Sequence, residues 1–287
     1  MKTGHNRCGG SACCRSPQVE LDFGKMEPMA IRNPFPGAVC FFVGETESTM
    51  VEARKLARRG SAAGSLVATD YQRAGRGRLT ERRWESEAGA NLLFTLRLDP
   101  AAASHRGLPL RVGGTLCRAV GLYAARRSLR LPSLPFIKWP NDLLIGGRKA
   151  AGILCESKPA GEEAGVYLGI GVNCNQTVFP APLSASVTSL ALELGQPIDR
   201  WGLLELILDQ LEAELSKASW REGVEELLWR RGEPVRFRAG APGIGEPIVG
   251  RLEGVDDMGS LLIRPDGEAR SRPFASGEII LHEVEAS

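Results

Sequence analysis

Short apolar runs of strand length alternate along the chain with segments whose apolar residues recur at helical spacing. The strand-like runs lie at 38–43, 65–70, 91–98 and 165–173, and a hairpin-like block covers 136–158. Helices are predicted after a capping-box pattern at Thr49, over about 107–128, and in a long amphipathic segment that Asp199 can cap. The 34 glycines and 18 prolines make the chain rich in turns. The pattern therefore favours a mixed α/β fold over a helix bundle.

The pattern changes at both ends of the chain. Residues 1–37 are polar and punctuated by Gly and Pro, which indicates an irregular arm. After Arg231, short β-like runs at 235–238, 248–252, 260–263 and 279–281 are separated by Gly, Pro and Asp. That spacing is typical of a small β-barrel or sandwich. We therefore predict three parts, namely an arm over 1–37, a main domain over 38–232 and a C-terminal β domain over 233–287.

Charge and hydropathy exclude several classes of protein. The formal net charge is only +2, from 36 Lys and Arg against 34 Asp and Glu. This balance argues against a protein that coats a polyanion or lies on a membrane surface. No apolar run approaches the roughly 20 residues of a membrane span, and the N-terminus lacks the apolar stretch of a secretory signal. The sequence predicts a cytoplasmic protein with no nucleic-acid or membrane partner.

The cysteines favour the same compartment. Seven is an odd number, spread over a long chain, which is typical of reduced thiols. Cys8, Cys13 and Cys14 cluster near the N-terminus, but their spacing lacks the paired arrangement of a metal site. We interpret this cluster as part of a structural or incidental tail, and the sequence assigns no metal ligands.

Positive charge is concentrated in one loop that the near-neutral total conceals. Between Arg73 and Arg83 there are five Arg and one Glu, whereas residues 233–287 carry 6 Arg against 10 Asp and Glu. Gly75 and Gly77 let the backbone of the loop approach a ligand closely, and guanidinium groups suit phosphate or carboxylate. Taken alone, the loop is equally compatible with a solvated basic segment that touches RNA.

Three further motifs combine polar groups with turns or small residues. Glu47-Ser48-Thr49-Met50 lies at a helix start, where hydroxyls and free N–H groups can hold a polar head group or simply cap the helix. The second motif is Lys138-Trp-Pro-Asn-Asp142, which is followed by a Gly-Gly turn and Lys149. Each of the two lysines could reach into a pocket or lie at the edge of a strand. Gly169-Ile-Gly-Val-Asn173 permits close approach of a ligand, or close packing of a core strand.

The ordered set of motifs resembles the biotin–protein ligases, also called biotin–acetyl-CoA-carboxylase ligases. The motifs that carry the resemblance are Ser48-Thr49, Gln72…Gly75-Arg-Gly-Arg78…Trp84, Lys138-Trp-Pro-Asn-Asp142…Lys149-x-x-Gly152 and Gly169-x-Gly-x-Asn173. The likeness extends from about residue 38 to 283, and four motifs in family order are specific. It implies an α+β fold: a mixed-sheet catalytic domain with helices on one side, plus a small C-terminal SH3-like β-barrel.

The resemblance also implies an ATP-dependent, AMP-forming ligase. In that family, biotin is joined to ATP with release of pyrophosphate, and biotinyl-5′-AMP is held in the site. The biotinyl group then passes to one lysine of a biotin carboxyl carrier protein or domain. The implied substrates are ATP and biotin with Mg²⁺, and the implied partner is a carrier of the acetyl-CoA carboxylase type. The resemblance leaves open whether the protein forms a homodimer.

Carried over residue by residue, the resemblance implies three groups of site residues. Lys149 and Arg78 are the catalytic candidates, since a carboxylate that attacks a phosphate needs positive charge beside it. The biotin-binding candidates are Ser48, Thr49, Met50, Gln72, Arg76, Gly77, Arg78, Lys149 and Gly152. The ATP-binding candidates are Trp84, Lys138, Asn141 and Asn173.

Three departures from the family pattern bear on these roles. Met50 stands where family members usually have Asn. The loop after Arg78 lacks a later Gly and is one residue longer, which bears on the placement of Trp84 over the adenine. Some relatives carry an N-terminal winged helix that binds DNA. The 37 residues before the first strand are too few for such a domain, so a ligase-only protein is expected.

Two other functions stay open at this point. Lipoate or octanoate transfer shares the fold by resemblance, although the Gly-Arg-Gly-Arg and Lys-Trp-Pro-Asn-Asp motifs favour biotin. An RNA-binding module that works through residues 73–83 would show salt-sensitive binding, but it would leave residues 138–154 without a role.

Overall fold

A mixed eight-stranded sheet forms the framework of the larger part of the molecule. The computed structural model describes residues 25–78, 83–181, 183–241 and 244–280. The strands of this sheet are β1 (Glu27–Pro28), β2 (Cys40–Thr46), β3 (Leu66–Gln72), β4 (Leu92–Leu98), β5 (Phe136–Lys138), β6 (Asp142–Ile145), β7 (Arg148–Lys158) and β8 (Gly165–Val172). Their spatial order is β1-β2-β3-β4-β8-β7-β6-β5. Only β2 and β3 pair in parallel, and the other neighbours are antiparallel.

Helices cover both faces of this sheet, so the expectation of helices on one side is wrong. The helices are α1 (Thr49–Arg58), α2 (Leu108–Arg126), α3 (Leu190–Leu194), α4 (Arg200–Leu215) and α5 (Arg221–Glu225), with short 3₁₀ turns at Pro100–Ser104 and Leu183–Ala185. Successive strand residues point to opposite faces. Val67 accordingly packs in the cluster under α1, whereas Leu66 and Ala68 pack with α2 and α4. A sheet that is apolar on both faces needs cover on both.

A second, antiparallel sheet follows in the chain. Its strands are β9 (Pro234–Ala239), β10 (Ile248–Val255), β11 (Leu261–Pro265), β12 (Arg272–Phe274) and β13 (Gly277–Ile279), in the order β12-β11-β10-β9-β13. The sequence predicts four of these five strands, and it places the last one two residues too late. β12 escapes prediction because it is only three residues long and has Arg and Pro in two of them.

The two sheets share one apolar core. Val235, Phe237 and Ile263 of the second sheet belong to the same buried cluster as the α2 face of the first. Trp139 ties them directly, because its Nε1 donates to the carbonyl of Gly259 at 3.0 Å and its ring lies edge-on to Phe237. The second sheet therefore packs as a continuation of the main core.

The structure describes only part of the predicted N-terminal arm. Residues 1–24, with Cys8, Cys13 and Cys14, lie outside the described residues. From residue 25 to 37 the chain is irregular apart from the two residues of β1, which pair with β2. Among the helices that the structure describes, none combines the length and the apolar character needed to cross a membrane.

Helix α4 begins where the sequence predicts, at Asp199. The carboxylate of Asp199 accepts a hydrogen bond from the N–H of Gly202 at 3.0 Å and pairs with Arg127 at 3.2 Å. We expect Asp199→Ala to lower the free energy of unfolding by about 1 kcal/mol, because a free helix N–H loses its acceptor. Urea denaturation measures this, and Glu212→Ala, an exposed change on the same helix, is the control. Equal stabilities of the two variants would contradict the capping role.

Candidate functional site

One cavity of about 880 Å³ collects all thirteen predicted site residues. It lies between the start of α1, one face of β7 and β8, the arginine-rich loop and the turn between β5 and β6. The predicted residues that line it are Ser48, Thr49, Met50, Gln72, Arg76, Gly77, Arg78, Trp84, Lys138, Asn141, Lys149, Gly152 and Asn173. Four motifs that are far apart in sequence therefore share one concave surface, as expected of a ligand site.

A hydrogen-bonded polar cluster forms one end of the cavity. Ser48 is the N-cap of α1, one residue before the predicted Thr49, and its Oγ accepts from the N–H of Met50. Gln72 Oε1 accepts from both the N–H of Thr49, at 2.8 Å, and its Oγ1, at 3.1 Å. Thr95 Oγ1 lies 2.8 Å from Thr49 Oγ1. Such a set of fixed donors and acceptors suits a small polar group such as a cyclic urea.

Sequence reasoning missed Thr95, although the sequence contains a signal for it. Thr95 is fully buried within the apolar run of β4. Alternation places it on the α1 face of the sheet, opposite the face of its neighbours Phe94 and Leu96. A polar residue in such a run needs a partner, and here the partner is the hydroxyl of Thr49.

We expect Thr95→Val to raise KM for the ligand of this polar end about fivefold, with a smaller effect on kcat. The change keeps the shape but removes the hydroxyl that fixes Thr49, and the net value of one hydrogen bond is about 1 kcal/mol. Steady-state kinetics at saturating ATP measures it. Thr95→Ser keeps the hydroxyl and serves as the control. The positioning role fails if the valine variant has the wild-type KM.

Lys149 reaches the cavity because of an irregularity in the β6–β7 ladder. Leu143 pairs with Ala151, but Leu144 pairs with Lys149, so Ala150 is an extra residue in β7. Without this β-bulge, Lys149 and Gly152 would point to opposite faces of the sheet, and the bulge brings them to the same face. Lys149 Nζ ion-pairs with Asp142 at 2.7 Å and lies 5.5 Å from the centre of the Trp84 ring.

Trp84 covers the floor of the cavity over two glycines. A Cβ built at Gly152 would lie 2.8 Å from the indole, and one built at Gly171 would lie 2.6 Å from it. These glycines pair across β7 and β8, and only a residue without a side chain permits so close an approach. The indole Nε1 is buried and has no hydrogen-bond partner among the described residues. This arrangement offers a flat apolar surface to a planar ligand.

The arginines of the basic loop that the structure describes divide into two groups. Arg76, Arg78 and Arg83 line the cavity, whereas Arg73 is turned away and pairs with Glu45 and Glu47. The ends of the loop approach each other, since Arg76 and Arg83 form a β-bridge. Residues 79–82, where the loop departs from the family pattern, lie outside the described residues.

Arg78 also connects the loop to the second sheet. Its Nη2 donates to the carbonyl of Gly277 at the start of β13, at 3.1 Å. Glu278, the next residue of β13, lines the same cavity. The site is thus built from both sheets.

The two candidate asparagines use their amide N–H groups within the protein. Asn141 Nδ2 donates to the carbonyl of Ile153 at 2.7 Å, and Asn173 Nδ2 donates to the carbonyl of Thr188 at 3.0 Å. These bonds fix the turn after β5 and the end of β8. The turn at Trp139-Pro140 contains a cis peptide bond, and Lys138 lies at its start on the wall of the cavity.

Thiols and metal clusters contribute nothing to this cavity in the part of the chain that the structure describes. Burial raises the pKa of Cys117 and of Cys174 to about 12, so both stay protonated near neutral pH. No described cysteine lines the cavity. No described group of three or more His, Cys, Asp or Glu side chains is arranged to hold a metal ion. The polar groups in the cavity are hydroxyls, amides, carboxylates, lysines and arginines.

Comparison with known proteins agrees with this geometry. Residues 44–173 match the family model described as the Biotin/lipoate A/B protein ligase family. The chain is 33% identical over 225 residues to the bifunctional ligase/repressor BirA of Bacillus subtilis, an alignment that covers 75% of this chain and 66% of that protein. The chain thus spans about two thirds of the length of the first relatives it matches.

Two further comparisons cover nearly the whole length of the relative. The biotin–[acetyl-CoA-carboxylase] ligase of Paracoccus denitrificans is 33% identical over 253 residues, covering 83% of this chain and 98% of that protein. The solved structure of the biotin protein ligase of Aquifex aeolicus in complex with biotin and ATP superposes with a TM-score of 0.69 at 26% identity. That match covers 86% of this chain and 98% of the other.

Proposed function

The chain belongs to the biotin–protein ligase family, and on this premise we propose that it activates biotin with ATP and transfers it to a carrier lysine. The observation that carries the proposal is the meeting of the polar cluster, the two cationic residues and Trp84 in one cavity. The alternative, lipoate or octanoate transfer, is not favoured, because the full-length relative and the solved structure are both named for biotin.

The polar end of the cavity is the proposed site of the ureido ring of biotin. The donors and acceptors there are Ser48, Thr49 and Gln72, with Thr95 behind them. From this end, biotin would extend past Gly169 and along the Trp84 indole that covers the glycine pair, so that its carboxylate comes within reach of Lys149. We assign Met50, Arg76, Gly77 and Gly152 to the walls of this channel. The nucleotide would take the space beside Trp84, with Lys138, Asn141 and Asn173 around it.

The first reaction brings two anions together. A carboxylate oxygen of biotin attacks the α-phosphorus of ATP, the bond from that phosphorus to the bridging oxygen breaks, and pyrophosphate leaves with the electron pair. Lys149 and Arg78 would stabilise the charge that develops on the phosphoryl oxygens. The Asp142 carboxylate holds Lys149 Nζ in place at 2.7 Å, which keeps the ammonium oriented before the reaction.

The second reaction transfers the acyl group. The amine of a carrier lysine attacks the carbonyl carbon of biotinyl-5′-AMP, the bond to the phosphate oxygen breaks, and AMP leaves while the attacking nitrogen loses a proton. The mixed anhydride must be kept from water until the carrier arrives. The arginine-rich loop, joined to the second sheet through Arg78 and Gly277, is the proposed cover.

Magnesium fits this site as a companion of ATP. Mg²⁺ is usually held by substrate phosphates with one or two carboxylates, and the described cavity offers carboxylates such as Glu85 and Glu278. It would neutralise phosphate charge while Lys149 and Arg78 act on the α-phosphate.

We divide the chain into an arm over 1–37, a catalytic domain over 38–232 and a C-terminal domain over 233–287. The start of β9 at Pro234 supports the second boundary.

We interpret the second sheet as an SH3-like barrel, and its position beside the cavity suits a role in closing over ATP or docking the carrier. The proposed carrier is a biotin carboxyl carrier protein of the acetyl-CoA carboxylase type. Homodimerisation stays a prediction.

Incubation of the full chain with ATP, Mg²⁺ and biotin tests the proposal. We expect pyrophosphate release with biotin alone, and a streptavidin-reactive carrier domain when one is added. Parallel reactions with lipoate and octanoate test the alternative. Turnover with either of these acids but not with biotin would overturn the proposed substrate, and salt-sensitive RNA binding without pyrophosphate release would overturn the enzyme assignment.

A further inference from the structure

The floor of the cavity is a series of residue pairs on one face of β7 and β8, each covered by a side chain from elsewhere. In order along the strands the pairs are Gly152 with Gly171, Leu154 with Gly169, and Glu156 with Tyr167. Trp84 covers the first pair. Met50 covers the second, and Arg54 covers the third through its ion pair with Glu156 and its contact with the Tyr167 ring.

Met50 and Arg54 form the wall opposite this floor at the polar end. They are four residues apart on α1, so they lie on one face of the helix. A Cβ built at Gly169 would lie 3.1 Å from Cε of Met50, so the methionine rests directly on the strand. The channel therefore narrows at Met50, and the Arg54–Glu156 pair lines it beyond that point.

Packing holds Met50 in this position. Its side chain is 7% exposed and belongs to the cluster of Phe41, Val43, Leu56 and Tyr167 under α1. A methionine on an open surface would adapt to many ligand shapes, but this one has core side chains on its far side. It cannot withdraw from the channel without displacing these close-packed core side chains.

We propose that Met50 is a specificity-determining residue that fits the channel to the bicyclic ring of biotin and excludes rings with added bulk. The inference rests on the proposed function, which places the ureido group beside Thr49, the residue before Met50. The side chain that follows the ureido-binding residues on α1 then meets the sulfur-containing ring. An apolar thioether at this point offers contact to the ring and no hydrogen bond to a polar substituent.

Met50→Ala tests the proposal with biotin sulfoxide and biotin sulfone, which carry added oxygen on the sulfur-containing ring, as probes. We expect kcat/KM for adenylate formation with at least one of these analogues to rise about tenfold relative to biotin, the size of effect that one or two methylenes have in such a pocket. Met50→Leu is the matched control, because it keeps the volume and should keep the preference for biotin. An unchanged preference in Met50→Ala would overturn the proposal.

Gly169→Ala provides a second test that does not rely on the folding of Met50→Ala. The added methyl group would lie 3.1 Å from Cε of Met50 and would crowd the channel at this point. We therefore expect kcat/KM for biotin to fall about tenfold, and that for desthiobiotin, which lacks the sulfur bridge, to fall less. The double variant Met50→Ala with Gly169→Ala should recover biotin activity. Equal losses for both acids would overturn the role of Met50, whereas a wild-type chain that makes no biotinyl adenylate would overturn the proposed function itself.

Discussion

Replacing Lys149 by alanine is expected to slow formation of biotinyl-5′-AMP by about 10²–10³-fold while the protein stays folded. The loss of one preorganised donor to a developing anion has this size in other enzymes. Lys149 suits the role because the β-bulge at Ala150 aims it into the cavity and Asp142 fixes its ammonium group. Single-turnover release of pyrophosphate measures the effect directly. Lys158→Ala, an exposed change on the same strand, is the control.

The Lys149 variant leaves the Asp142 carboxylate without its partner, so a second variant separates two causes of inactivity. If the unpaired Asp142 carboxylate causes the loss of activity, Asp142→Asn in the Lys149→Ala background would restore the rate of adenylate formation. If the cation itself is needed, the double variant stays as slow as the single one. Restoration, or near-normal turnover of Lys149→Ala alone, would remove Lys149 from the catalytic role.

Arg78→Ala is expected to cause a loss of the same order, about 10²–10³-fold, in adenylate formation. Arg78 lines the cavity and is joined by a hydrogen bond to the second sheet, so its removal takes away both a charge and the anchor of the loop. The proposed cover over the mixed anhydride should then fail as well. We expect a shorter half-life of enzyme-bound biotinyl-5′-AMP, which quenching at intervals and chromatography of the nucleotide can measure.

The chain offers a matched control for Arg78 within the same loop. Arg73 carries the same charge, but it does not line the cavity and pairs with Glu45 and Glu47. Because exposed ion pairs contribute little, Arg73→Ala should leave both the rate and the half-life close to wild type. Equal losses in the two variants would mean that the total charge of the loop matters rather than the position of Arg78.

Most of the regular structure could be predicted from local patterns. The runs that become β3, β4 and β8 and the helices α1, α2 and α4 are long, periodic and capped, and their predicted bounds differ from the observed ones by few residues. β1 and α3 span two and five residues, too short for periodicity to detect. Helices lie on both faces of the sheet because of long-range packing. A short stretch of sequence carries no information about that packing.

The family resemblance supplied thirteen candidate residues, and all of them line one cavity, while their individual roles stay predictions. The geometry of that cavity could not be predicted from the sequence. The β-bulge that turns Lys149 into the cavity depends on the register between β6 and β7. The position of Trp84 depends on two glycines that are 19 positions apart in the chain and adjacent in space. Thr95 escaped attention because its partner, Thr49, lies on another element.

The links between the two sheets run through main-chain atoms. Trp139 and Arg78 donate to the carbonyls of Gly259 and Gly277, and a Cβ at either glycine would collide with neighbouring backbone atoms, at 2.9 Å and 2.4 Å. The acceptors are carbonyl groups, so these two links need glycine at positions 259 and 277 but no particular side chain elsewhere on the second sheet. Outward-facing residues of that sheet can therefore be exchanged without breaking either hydrogen bond.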